Sequence, residues 1–100
     1  MPEFCSPFAG NKNDKKLTKD ELIRAIRFSI ASEFEAIQIY EQLKDSIDNT
    51  QAEKILDEVT EDEKTHVGNF LYLLCLLSKS DDEYLKKGKK EAVEIIAKDK

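Results

Sequence analysis

One hundred residues make a single small domain, 37% charged, 40% hydrophobic and poor in Gly and Pro, the composition of a water-soluble helical protein. The net charge of −5 argues against a nucleic-acid partner, whose phosphates require a basic face. The longest apolar run, Phe70 to Leu77, falls far short of the ~20 residues that span a bilayer, which argues against a membrane partner.

Residues 1–17 mix Pro, Ser, Gly, Asn and Lys without a period and read as a flexible N-terminal arm with no signal-peptide core. Thr18-Lys19-Asp20-Glu21 is a capping box that opens a long helix to about Ile47. Asp48-Asn49-Thr50 breaks the pattern, and Thr50-Gln51-Ala52-Glu53 forms a second box starting a helix to about Ser78. Ser80-Asp81-Asp82-Glu83 is a third, opening a short helix that Gly88 is expected to end. Residues 89–100 then hold a short final helix and tail. Two long helices joined by a very short turn must fold back as an antiparallel hairpin, spanning residues 18–88 with the short helix. Cys5 and Cys75 fit no zinc or redox spacing; Cys75 reads as a small buried hydrophobe, and a reducing cytoplasm suits the chain.

Ile26, Ile30, Ile37 and Tyr40 follow 4-3 spacing along the first helix, with Glu33 in their midst. In the second helix the same spacing picks out Leu56, Val59, Glu63, His66, Phe70, Leu73 and Leu77. A hairpin cannot cover these stripes on all sides, and Phe70 to Leu77 is apolar right round the helix. Two hairpins meeting as a four-helix bundle is the simplest answer, so the fold class expected is all-α and self-associating.

Glu33, Glu63 and His66 interrupt those stripes. A carboxylate in an apolar interface costs several kcal/mol unless a proton or cation compensates. Mixed carboxylate and imidazole ligation suits iron or manganese. Di-iron helical bundles take one Glu from each of two helices and a Glu-x-x-His from each of the other two. Glu33 and Glu63-Lys64-Thr65-His66 are half of that set, and a homodimer would complete it with a charge that two ferrous ions neutralise. Taken singly each piece is weak: a lone His is often a satisfied core residue, and a stripe Glu often a salt bridge. Their joint inward placement carries the metal reading. Tyr40, two turns beyond Glu33, either orients a ligand carboxylate or is a core aromatic. Glu35 points away from Glu33, and Glu58, Glu61 and Asp62 read as a solvated face.

Ala31-Ser-Glu-Phe-Glu-Ala-Ile-Gln-Ile-Tyr40 and Asp62-Glu-Lys-Thr-His-Val67, at their separation, resemble the encapsulated ferritins over residues 18–88. That resemblance implies a di-iron ferroxidase centre between two chains, a ring-shaped decamer, and residence inside an encapsulin shell in the cytoplasm. By position Glu33, Glu63 and His66 match the iron ligands, Glu63 being the bridging carboxylate, and Tyr40 matches a tyrosine near the centre. Of the acids and aromatic that form an outer metal site in some members, the positions here are Ser32, Glu35 and Ile39, so only Glu35 remains. The peptide that addresses such cargo to its shell is not visible in Ala97-Lys98-Asp99-Lys100, which reads as a truncated chain or one continuing into a fused shell domain. Two other functions compete with ferroxidase: a rubrerythrin-like peroxide reductase, disfavoured by the lack of CxxC, and a metal-free helical assembly or adaptor module.

Overall fold

The computed structural model describes residues 15–98, and all the regular structure among them is helical: α1 (Lys19–Asp45), α2 (Thr50–Leu77) and α3 (Lys79–Lys98). The first capping box forms as expected. The Thr18 hydroxyl accepts from the Glu21 N–H at 3.1 Å, and the Glu21 carboxylate accepts from the Thr18 N–H at 2.8 Å. That hydrogen bond to the Thr18 backbone holds the Glu21 carboxyl below its ordinary value. α1 ends two residues before Ile47, because Ser46 turns its N–H onto the Leu43 and Lys44 carbonyls.

The other two starts differ from the sequence expectation. Asn49, not Thr50, caps α2: its backbone is extended and its side-chain oxygen accepts from the Ala52 N–H at 3.0 Å. Asn is at least as good a cap as Thr, and here it stands one residue earlier. The boundary before α3 is the single non-helical residue Ser78, whose hydroxyl accepts from the Asp81 N–H at 3.1 Å. α3 therefore begins ahead of Ser80. It also runs straight through Gly88 to Lys98 as one helix. Gly costs about 1 kcal/mol against Ala in a helix interior but does not stop one unless the chain turns left-handed there.

α1 and α2 form the hairpin. Ile26, Ile37, Val67 and Leu74 are its buried apolar core, joined by Thr60 and Ser78. The buried Thr60 hydroxyl is satisfied by donating to the Leu56 carbonyl at 2.6 Å. The seam of α2 thus follows 56, 60, 63, 67, 70, 74 and 77, whereas the sequence reading placed 59, 66 and 73 on it. Both 4-3 registers share Leu56, Glu63, Phe70 and Leu77, and α2 is apolar at most of the alternatives. Pairing with α1 makes the choice, and it leaves Val59, His66 and Leu73 on one flank of the hairpin.

The opposite flank is polar. Lys44 pairs with Asp57 at 2.6 Å and Lys64 with Glu41 at 3.5 Å. Arg27 lies two heptads before Glu41 on that same flank and pairs with Asp81 at 2.7 Å, which fixes where α3 leaves the hairpin. α3 buries none of its residues, and the described chain is broad and thin, 55 × 45 × 20 Å.

Candidate metal centre

Glu33 comes from the middle of α1, and Glu63 and His66 from the middle of α2. Antiparallel pairing brings them to one height in the hairpin. Glu33 Oε2 lies 3.6 Å from His66 Nδ1, and Glu63 Oε2 lies 3.8 Å from the same nitrogen. One ligand atom from each residue falls within 4.8 Å of the others. Among the described residues this is the one such group of three or more. The sequence expectation that these three converge agrees with the geometry.

The electrostatics would suit a cation. Both carboxylate side chains are 19% exposed, and the His66 ring, at 48%, opens to the flank. Glu33 Oε2 is buried and has no hydrogen-bond partner. Its separation from Nδ1 exceeds a hydrogen bond, so the imidazole does not satisfy it. A buried carboxylate oxygen with no donor costs about 1–3 kcal/mol or more, which a bound cation removes. Carboxylate and imidazole ligands ~2.1 Å from one ion stand about 3–3.5 Å apart, slightly closer than these atoms stand here. The donor set and spacing fit a divalent first-row metal after a small side-chain adjustment.

Around the trio, Tyr40 is half-buried on the α1 seam, and among the described residues no hydrogen bond joins it to the three. Glu35 is exposed and stands apart from them. Cys75, in the last turn of α2, is half-buried rather than core; desolvation, with Asp82 of α3 beside it, pushes its thiol above the ordinary value. Sequence reasoning missed the Arg27–Asp81 pair. The partners are 54 positions apart, and no local pattern connects them.

An all-α hairpin with two carboxylates and an imidazole at mid-height defines a ferritin-like helical protein. The family model described as Rubrerythrin matches residues 25–98. The crystal structure of an encapsulated ferritin domain from Pyrococcus furiosus superposes with a TM-score of 0.78 at 38% identity, covering 83% of this chain and 85% of that one. A ferritin-like–encapsulin shell fusion protein of Pyrococcus furiosus is 39% identical over 82% of this chain and 24% of its own length. An encapsulin nanocompartment cargo protein, EncC of Myxococcus xanthus, is 36% identical over 80% of this chain and 58% of its own length. The chain thus spans about a quarter and somewhat over half of these two relatives. It belongs to the encapsulated ferritin family. No helix among the described residues is long and apolar enough to cross a membrane.

Proposed function

We propose that the chain is a ferroxidase, oxidising ferrous to ferric iron at a di-iron centre completed by a second copy across the flank that bears His66. The observation that carries this reading is the buried, partnerless Glu33 Oε2 facing His66 and Glu63. Three ligands underfill an iron coordination sphere, so a second trio from a partner hairpin is the natural complement. The flank suits that contact: α2 offers Val59 and Leu73, while α1 offers the small Ala25, Ser29, Ser32 and Ala36 at matching helical spacing. Large side chains set against small ones let two hairpins approach closely.

In this reading the ferrous ions are substrate. Each gives one electron, and dioxygen takes the pair. Glu63, Glu33 and His66 would hold the ions, and the apolar surroundings would strengthen carboxylate–cation attraction while limiting water. Tyr40 lies within the same seam to orient a carboxylate. The two curated relatives are named for encapsulin, which supports a place for this chain with an encapsulin shell that would receive the ferric product.

Anaerobic ferrous titration followed by air tests the assignment. Saturation near one iron per chain and rapid oxidation are expected, with Glu63→Ala and His66→Ala losing both while remaining helical by circular dichroism. Unchanged oxidation in those variants would overturn it. The Rubrerythrin match favours testing hydrogen peroxide alongside dioxygen: much faster turnover with peroxide would identify a peroxide reductase instead.

A further inference from the structure

We propose that Gly68 is a positioning residue for the metal ligands. With its neighbours it makes the turn of α2 that carries His66 compliant, so that the imidazole closes on a cation held by Glu33 and Glu63. This role rests on those three residues holding a metal and not on the oxidation that follows.

The residues around His66 make a poor stretch of helix. Thr65, His66, Val67, Gly68 and Asn69 stand in succession inside α2, and all come from the lower ranks of helix propensity, glycine lowest among them. Packing often overrides propensity, but here it offers little. Val67 is buried, whereas Thr65, His66, Gly68 and Asn69 are exposed. A Cβ at Gly68 would meet nothing within 4 Å, so no neighbour in the chain calls for a glycine there. The Thr65 hydroxyl donates to the Glu61 carbonyl at 3.3 Å, a back-bond of the kind that weakens and bends helices. Glycine adds a backbone freedom that any side chain removes. A local rule broken without a packing gain is expected where function asks for it.

The ligand geometry asks for that freedom. His66 Nδ1 stands 3.6 Å from Glu33 Oε2 and 3.8 Å from Glu63 Oε2. Ligand atoms on one ion keep about 3–3.5 Å, so a movement of roughly 0.5 Å closes the set. Both carboxylate side chains are 19% exposed and held in the seam, whereas the His66 ring, at 48%, is the ligand with room to move. Turning the ring supplies part of the closure, and the compliant turn beneath it supplies the rest. A stiff, straight helix through residues 65–69 resists that movement.

The test compares the parent with Gly68→Ala and with Thr65→Ala/Gly68→Ala/Asn69→Ala, all at exposed positions and none a ligand. In chelator both variants should melt several degrees above the parent, because alanine favours the helix. Titrated with Co2+ alone and followed by visible absorbance, they should bind it several-fold more weakly, the triple variant most of all. Amide protection factors at residues 66–70 should rise on Co2+ binding in the parent. In the triple variant they should be high already in chelator and change little. Gly88→Ala, at the exposed glycine inside α3, should leave Co2+ affinity at the parent's value. Equal or tighter Co2+ binding by the stiffened chains overturns the proposal and leaves the metal assignment standing. So does a parent whose protection at 66–70 in chelator matches that of the turns on either side. Altered sedimentation of Gly68→Ala in chelator overturns it as well, since the glycine would then serve a contact between copies. A parent that binds neither Co2+ nor Fe2+ overturns the proposal together with the metal assignment.

Discussion

At the residue scale, Glu33 is the most informative side chain. It occupies a seam position where Ile or Leu would pack, and it leaves one buried oxygen without a partner. Such a group lowers the stability of the metal-free protein, which under the proposed function a bound cation would offset. Glu33→Leu should therefore raise the stability of the metal-free chain by about 1 kcal/mol while abolishing tight ferrous binding. Urea unfolding in chelator and iron titration of the same variant check both halves. Equal destabilisation in chelator would mean that Glu33 is a structural residue. The inward placement of Glu33 and Glu63 was legible because their spacing to apolar neighbours is regular. The exposure of His66 was not, because two registers of α2 fit the sequence equally well.

At the element scale, helix starts depend on which backbone adopts the extended conformation, and several adjacent residues could serve. Asn49→Ala should cost about 1 kcal/mol, whereas Thr50→Ala should cost only a few tenths. A reversed order in thermal melts would return the cap to Thr50. The joint of α3 should depend on pH with a definite sign. The hydrogen bond from Arg27 holds the Asp81 carboxyl below its ordinary value of 3.8. A carboxylate depressed on folding stabilises above the unfolded-state pKa and loses that contribution as pH falls through the folded one. The attachment of α3 should therefore be fully present at neutral pH and weaken below about pH 4. Amide protection factors in residues 79–84, corrected for intrinsic exchange, should fall there in the parent and stay flat with pH in Asp81→Asn. Gly88 carries the complementary lesson. A glycine marks a stop only when the chain turns there, and the surrounding Lys and Glu residues carry the helix through it.

At the scale of the whole molecule, the described chain is thin, buries four apolar side chains, and leaves Phe34, Ile55, Tyr72, Leu76 and much of α3 bare. So small a core among the described residues leaves much apolar surface that the proposed association of copies would cover. Under the proposed function, adding ferrous iron anaerobically should raise both the sedimentation coefficient and the melting temperature, because ligands shared between copies would link binding to assembly. An apparent mass indifferent to iron would place the whole metal site within one chain.

By itself the sequence determined that two long helices fold back on each other, and that Glu33, Glu63 and His66 are set at one level. Both follow from local rules: capping and a turn too short to do otherwise, and 3.6-residue periodicity. Only the tertiary structure decided which register of α2 meets α1, that one oxygen of Glu33 is left without a donor, and that Arg27 reaches Asp81 to aim a continuous α3 away from Glu33, Glu63 and His66. Those outcomes depend on contacts between residues far apart in the chain, where periodicity allows several answers and packing selects one.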